Sequence, residues 1–377
     1  MKKEILWKSG VAVGLHYAIL VAASLIPFGY SISYQHMTGT WMDHFLQWDG
    51  VWYGLIGKYG YHLPAQAQQI LYQLGNQIPV SPVKATGFFP FLPMLIHVLG
   101  MTGTLVVTNS IFAVNVVLFS LWLSRTHLSV GWGAVLFALN PAAMFESFIY
   151  PGAYLVFFAL AVMMLTRSKT RWWWLAAILG YLSSLTAGLG AIIGIFVMSF
   201  FQRKEWVRGV IYGLSVAMGW TTFALVLISQ KVPALAFLHA EKLWGRVWRF
   251  PMAAWLGQFH ESLFIGHWDQ VFVALYVVLL VAFVANWIRS RHVPVSDFSW
   301  GVAYTVFCLS TYWIPYPLVG DLRFIADAVP LYGIVPRTDG QGTAGQGIHG
   351  LAAILLVVFV AAFAFGSLLV THGGVYQ

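Results

Sequence analysis

The sequence predicts an all-α protein that crosses a membrane many times, and three observations support this fold class. Of the 377 residues, 59% are hydrophobic and only 8% are charged, and the mean hydropathy is +0.76. A typical soluble protein carries about three times more charge. The apolar residues also form runs long enough to cross a bilayer, and the basic residues collect between alternate runs. Lipid is therefore the predicted solvent for most of the chain.

About eleven transmembrane helices are expected, because one span needs roughly 17 to 25 apolar residues. The runs lie at 9-30, 105-124, 130-149, 151-166, 171-187, 188-202, 208-229, 270-288, 299-317, 322-336 and 350-371. We expect residues 1-377 to form one membrane domain, with the first run retained because no convincing signal-peptide cleavage site follows it. The single cysteine, Cys308, excludes an internal disulfide.

The basic residues also predict the orientation, because cytoplasmic loops collect Lys and Arg. With the N-terminus in the cytoplasm, seven of the 20 basic residues fall outside: Lys58, Lys84, Lys231, Lys242, Arg246, Arg249 and Arg323. Acidic residues favour the outer side: Asp43, Asp49, Glu146, Glu241, Glu261, Asp269 and Asp321. The net charge of +8 thus follows from membrane topology, and a nucleic-acid partner is not expected.

The first outer loop, residues 31-86, contains the segment FLQWDGVWYGLIGKYGY. Its residues Trp48 and Trp52 lie on one helical face with other apolar residues, a pattern typical of a helix lying flat at the membrane interface. Asp49 belongs to the same helix, where an acid beside anionic headgroups has no anchoring use. We therefore interpret Asp49 as a candidate for chemistry, with helix capping as the alternative.

Residues 87-100 follow this loop and are apolar, but Pro90 and Pro93 interrupt them. The run is too short to span comfortably, so it predicts a second juxtamembrane or re-entrant helix. Two such helices would line a cavity at the outer surface, where a lipid-linked substrate could bind.

The second large outer loop, residues 230-268, supplies candidate cations. His239, Lys242, Arg246 and Arg249 recur at spacings of three and four, which a helix would align as one stripe. A guanidinium can form two parallel hydrogen bonds with a phosphate, which makes Arg246 the first candidate for a phosphate clamp. The alternative is a basic belt that binds lipid headgroups.

Further polar residues are expected near the outer ends of helices. Arg323 is predicted either to pair with Asp321 or to contact a phosphate, because a charge near hydrocarbon needs a partner. Asp327, one turn deeper, is another possible partner for Arg323. Glu146 is expected either to bind an acceptor hydroxyl or to face water.

Four segments occur in order between about residue 45 and residue 335: WDGVWYGLIGKYGY, FFPFLPMLI, LNPAAMFESFIY and FLHAEKLWGRVWRFP. In this order and spacing they resemble the PIG-V-like mannosyltransferases, which belong to the GT-C glycosyltransferases. The resemblance implies a polyprenyl-phosphate-linked sugar donor, usually mannose, and an inverting transfer at the outer leaflet to a lipid or glycan acceptor. For so compact a chain it further suggests a prokaryotic plasma membrane.

For that reaction, Asp49 is the predicted base that takes a proton from the acceptor hydroxyl. Asp43 is a second acidic candidate, and one carboxylate suffices for a single inverting displacement. The family pattern differs at two places. Relatives often carry Tyr-Ser/Thr-Glu-Ser where this chain has 150-153, Tyr-Pro-Gly-Ala, and Thr-Arg where it has 186-187, Thr-Ala.

This chemistry requires no cofactor. A divalent metal ion bound by Asp43, Asp49 and the substrate phosphate is the alternative. No metal site is predicted, because the histidines lack metal-binding spacing and the nearest cluster is His260, Glu261 and His267. Two other functions stay open: a transporter or lipid flippase, and a non-catalytic protein that binds a lipid-linked glycan. Transporters usually carry ionisable groups near mid-membrane, whereas the charges here gather at one face.

Overall fold

The protein is described by a computed structural model over residues 2–26, 41–45, 49–73, 81–167, 172–251, 253, 268–290, 292–313, 321–336 and 343–371. The described part is helical apart from one short antiparallel pair of strands, β1 (Arg246–Trp248) and β2 (Thr311–Trp313). The first eight α-helices are α1 (Lys2–Leu25), α2 (Asp49–Tyr59), α3 (Ala65–Gln73), α4 (Pro82–Ala85), α5 (Phe91–Arg125), α6 (Val130–Ala138), α7 (Gly152–Arg167) and α8 (Trp173–Thr186). The others are α9 (Val197–Gln202), α10 (Trp206–Ser229), α11 (Ala236–Leu243), α12 (Trp268–Ser290), α13 (Val295–Leu309), α14 (Asp321–Ile325) and α15 (Thr343–Thr371). Short 3-10 helices cover Trp41–Phe45, Ala143–Glu146, Gly188–Phe196 and Val329–Tyr332.

Within the described residues, four helices are long and apolar enough to cross a membrane. They are Lys3–Leu25, Phe91–Arg125, Trp206–Ser229 and His349–Leu368. Shorter apolar helices accompany them at Gly152–Arg167, Trp173–Thr186, Gly188–Gln202 and Ala274–Arg289. The prediction of an all-α membrane protein is therefore confirmed, whereas these helices do not amount to about eleven spans.

The expected short helix at 87-100 corresponds to the first part of α5, because α5 consists of two helical segments that meet at a kink at the non-helical Gly100. Gly100 has φ 70°, a left-handed conformation that glycine adopts without strain. Pro90 is the N-cap of α5 and Pro93 lies in its first turn, where the backbone N–H groups need no helical partner. The two prolines therefore start a helix instead of interrupting one.

Two other predicted spans are irregular. In the run 130-149, α6 has 9 residues and is followed by turns and a 3-10 helix. The run 322-336 consists of the end of α14, a turn and another 3-10 helix. Both segments are buried among other helices. Irregular backbone at membrane depth requires such burial, because lipid cannot satisfy its polar groups.

His16 attaches α1 to one of these irregular segments. Its ring is fully buried, and Nδ1 donates to the Ala138 carbonyl at 2.8 Å. Because that tautomer leaves Nε2 as an acceptor, the Ser147 hydroxyl donates to Nε2, also at 2.8 Å. The two hydrogen bonds fix the segment that leads from α6 into α7.

Candidate functional site

An ion pair joins Asp49, the first residue of α2, to Arg323 of α14. The Arg323 Nη2 atom lies 2.8 Å from Asp49 Oδ2. The two side chains keep 17% and 26% of their surface exposed, respectively, so both charges remain within reach of a polar ligand. The structure thus pairs Arg323 with Asp49, while the side chain of Asp321 lies outside its described part.

Tyr150 supports both members of this pair. Its hydroxyl accepts a hydrogen bond from the Asp49 backbone N–H at 3.3 Å, and its ring lies 5.4 Å from the Arg323 guanidinium carbon. Burial, and then the negative charge of Asp49, raises the pKa of Tyr150. The phenol therefore stays protonated at neutral pH and orients the pair without adding a charge.

Arg246 approaches the same place from β1. Its guanidinium carbon lies 5.3 Å from the centre of the Phe324 ring, and that of Arg323 lies 4.7 Å from the same ring. Arg246 also faces Glu241, with 3.6 Å between Nε and Oε2. Two guanidinium groups therefore lie against one aromatic ring, and each of them faces a carboxylate, Asp49 or Glu241.

The predicted cationic stripe on one helix is wrong. His239 and Lys242 belong to α11, which ends at Leu243, whereas Arg246 begins β1. Gly245 has φ 81° and ends the helix, as glycine commonly does. Arg249 follows β1, and its backbone N–H donates to the Ser310 carbonyl at 2.9 Å. Among the four cations, Arg246 is the one that reaches the aromatic ring next to the Asp49 pair.

The α2 helix has no exposed face over most of its length, because every residue from Gly50 to Gly57 is buried. Trp52 stacks on Phe88, with ring centres 5.2 Å apart, and meets Trp244 edge to face at the same distance. Its described contacts are therefore packing contacts. Trp48 and the side chain of Asp43 lie outside the described part of the chain.

A second acidic feature, which sequence reasoning missed, joins Glu146 to Asp327. Both residues are 2% exposed, and the negative charge of Asp327 acts on Glu146. Tyr304 donates to Asp327 Oδ2 at 3.1 Å. Glu146 therefore does not face water, and the positive charge of Arg323 acts on Asp327.

Gly152 leaves the space that this acid pair occupies. A Cβ atom at Gly152 would lie 2.9 Å from Asp327 Oδ1 and 3.0 Å from Glu146 Oε1. Such contacts are shorter than side chains tolerate. A larger residue at position 152 would therefore displace the carboxyl groups of Glu146 and Asp327.

No group of three or more His, Cys, Asp or Glu side chains that could hold a metal ion occurs in the described part of the chain. The cluster of His260, Glu261 and His267 lies outside that part. His62 and His97 instead make hydrogen bonds with the carbonyls of Gln230 and Gly57, at 2.6 and 3.1 Å. A metal ion shared by Asp43, Asp49 and a phosphate stays a prediction.

Comparison with known proteins returns no match. No protein-family model matches the chain, no curated protein matches it, and no solved structure matches it. The resemblance to the PIG-V-like mannosyltransferases therefore rests on the order and spacing of its motifs.

Proposed function

We propose that the chain is an inverting glycosyltransferase that moves a sugar, mannose in the first instance, from a polyprenyl-phosphate carrier to an acceptor hydroxyl. The Asp49–Arg323 ion pair carries this proposal, because it joins a candidate base to a candidate phosphate ligand at 2.8 Å. The motif order supports the family, and the basic residues support an active site on the outer face of a plasma membrane, with the N-terminus in the cytoplasm.

In the proposed reaction, the acceptor hydroxyl oxygen attacks the anomeric carbon of the sugar while Asp49 takes the hydroxyl proton. The bond between the anomeric carbon and the phosphate oxygen breaks, and the polyprenyl phosphate leaves with the bonding electron pair. Positive charge close to that oxygen lowers the barrier, because negative charge develops there in the transition state. No cofactor takes part, and a divalent metal stays the alternative source of positive charge.

Arg323 is the first phosphate ligand in this scheme, and Arg246 is the second. The Nε atom of Arg323 is buried and has no hydrogen-bond partner, so it offers a donor that the protein leaves unused. Arg246 lies against the same Phe324 ring and can reach a phosphate bound there. Binding of the phosphate would release the Asp49 carboxylate from Arg323 to meet the acceptor hydroxyl.

The Glu146–Asp327 pair is proposed to replace the glutamate that the family pattern has at position 152. A Cβ atom at Gly152 would lie 2.9 Å from Asp327 Oδ1 and 3.0 Å from Glu146 Oε1, so the two carboxyl groups lie where a side chain at position 152 would be. The Glu146 Oε2 atom is buried and lacks a hydrogen-bond partner, so it can accept a hydrogen bond from a sugar or acceptor hydroxyl.

The second candidate function is a transporter or lipid flippase. The same acid pair favours it, because carboxyl groups buried within the membrane are typical of proton-coupled carriers. The third, a non-catalytic protein that binds a lipid-linked glycan, would retain the cations without needing Asp49 as a base.

The test measures transfer of labelled mannose from polyprenyl-phosphate mannose to the lipid fraction of membranes that contain the chain. We expect Asp49→Asn to lower transfer by about 100-fold or more, the usual contribution of a general base. The matched control is Glu205→Gln, because Glu205 also pairs with arginines, at 3.2 Å from Arg203 and 3.4 Å from Arg208. Glu205 lies close to the other end of α7, since the Arg203 guanidinium donates to the Thr166 carbonyl.

Glu205→Gln should keep transfer within about twofold of the unaltered chain, because its ion pairs are far from the proposed chemistry. Both variants should elute from size exclusion as the unaltered chain does. Unchanged transfer by a folded Asp49→Asn variant would contradict the base assignment. Counterflow of labelled lipid in proteoliposomes, without formation of a glycosylated product, would favour the transporter instead.

A further inference from the structure

Lys84 is a buried cation that no carboxylate in the described part of the chain neutralises. The residue is 5% exposed, and its Nζ atom is buried without a hydrogen-bond partner. The ammonium lies 5.7 Å from the centre of the Trp244 ring. No carboxylate within the described residues forms an ion pair with Lys84.

The backbone around Lys84 is held in place by two elements. Ser81 caps α4 and accepts the Lys84 N–H at 3.2 Å, while the Trp244 indole N–H donates to the Lys84 carbonyl at the same distance. Trp244 follows α11 directly and also packs against Trp52 and Phe88. The hydrogen bonds to Ser81 and Trp244 therefore fix the backbone position of Lys84, and this position places its side chain in a buried environment.

Burial without an anion disfavours the charged form of a lysine. Removal from water accordingly lowers the pKa of Lys84. The indole ring offsets only part of the lost hydration, because a cation–π contact is weaker than the hydration of an ammonium ion. An anion next to the Lys84 Nζ atom would neutralise its charge. The neighbouring surface indicates which kind of anion could bind there.

The surface beside this site suits a lipid. On α11 and just before it, Leu235, Leu238 and Leu243 are 56%, 50% and 45% exposed. Aromatic rings of Trp52, Phe88 and Trp244 form the adjoining layer. Exposed leucines can contact acyl chains, and tryptophans favour the level of the headgroups. The anion that belongs at that level in a bilayer is phosphate.

We propose that Lys84 and Trp244 form a phosphate-binding site for the headgroup of a membrane lipid. The ammonium donates hydrogen bonds to the phosphate oxygens, and the leucines on α11 contact the acyl chains. The Nζ atom is covered in the described state, so the side chains that cover it must move before a phosphate reaches it. Inorganic phosphate shares this chemistry but lacks the acyl chains.

The test uses the purified full-length chain in detergent and native mass spectrometry with added phosphatidic acid or diacylglycerol, which differ in the phosphate. We expect about tenfold more bound phosphatidic acid than diacylglycerol. Lys84→Met should reduce that binding about tenfold, whereas Lys84→Arg retains the charge and should keep most of it. Lys58→Met serves as the matched control, because it removes the same charge at an exposed position, and it should bind phosphatidic acid as the unaltered chain does. Equal binding by the Lys84→Met variant and the unaltered chain would overturn the proposal.

A second measurement needs no variant and therefore does not depend on folding of Lys84→Met. An amine-reactive reagent is applied to the unaltered chain, and modification of Lys84 is followed by peptide mass spectrometry. Phosphatidic acid should slow modification of Lys84 about tenfold and leave the exposed Lys58 unchanged. Protection by inorganic phosphate alone would support the same site with free phosphate as its ligand. Absence of protection by either would overturn the proposal.

Discussion

Two arginine–aspartate pairs lie near the two ends of α7. At its C-terminal end, Arg167 pairs with Asp297. Near its N-terminal end, Tyr150 contacts the pair of Arg323 and Asp49. A helix rises about 1.5 Å per residue, so the ends of α7 are roughly 22 Å apart. The pairs have the same charges but differ in how completely the protein satisfies them.

Asp297 is the more completely satisfied aspartate. Its side chain is 1% exposed and accepts hydrogen bonds from Trp122 Nε1 at 2.8 Å and the Ser296 hydroxyl at 3.1 Å, besides the Arg167 guanidinium. The Asp49 side chain is 26% exposed, and within the described part Arg323 is the partner of its carboxylate. A saturated carboxylate serves packing, whereas an unsaturated one retains lone pairs for a ligand.

The largest difference should appear when each aspartate is replaced by alanine. Asp297→Ala leaves Arg167, Trp122 and Ser296 without their acceptor, so we expect the free energy of unfolding to fall by about 3 to 5 kcal/mol. Asp49→Ala removes the ion-pair partner of Arg323, which is partly exposed, and we expect the free energy of unfolding to fall by about 1 kcal/mol. Denaturant unfolding of both variants in one detergent measures the difference. Equal losses would show that burial does not distinguish the two pairs.

A smaller difference is expected when one supporting side chain is altered at each end. Trp122→Phe removes a hydrogen bond to a carboxylate and should lower the free energy of unfolding by about 1.5 to 3 kcal/mol. Tyr150→Phe removes the hydroxyl that accepts the Asp49 backbone N–H, and the expected loss of unfolding free energy is about 1 kcal/mol. The same unfolding measurement applies to both.

The control for lost ring volume is Trp300→Phe, because Trp300 is 2% exposed and stacks on Phe196. If Trp300→Phe destabilises the chain as much as Trp122→Phe does, packing and not the hydrogen bond explains the loss. Greater destabilisation by Tyr150→Phe than by Trp122→Phe would contradict the conclusion that Asp297 is more completely hydrogen-bonded than Asp49.

The sequence predicted local features and missed long-range ones. Helices α1, α10 and α15 follow from apolar runs, because a run of that length has few other structures in lipid. Asp49 stands out because it lies in a segment rich in tryptophan. Its partner could not be predicted, since no periodicity relates position 49 to position 323 and the pairing depends on tertiary packing.

One local error had a signal that was present in the sequence. Gly245 interrupts the spacing of Lys242 and Arg246, and a glycine at that place is a common helix end. The short helix expected at 87-100 is present, and its prolines begin it, because the first turn needs no donor. The Glu146–Asp327 pair had no comparable signal, since its members lie in two irregular segments far apart in the chain.

The smallest effect is expected at the most exposed of the ion pairs compared, that of Glu241 and Arg246. Glu241 is 49% exposed, and its Oε2 lies 3.6 Å from Arg246 Nε. Glu241→Gln should change the free energy of unfolding by less than about 1 kcal/mol, and 1 M salt should remove that change because exposed charges are screened. The control is the neighbouring Lys242→Gln, measured by the same denaturant unfolding. A loss as large as that of Asp297→Ala would mean that exposure does not rank these pairs and that Arg246 depends on Glu241 for its position against Phe324.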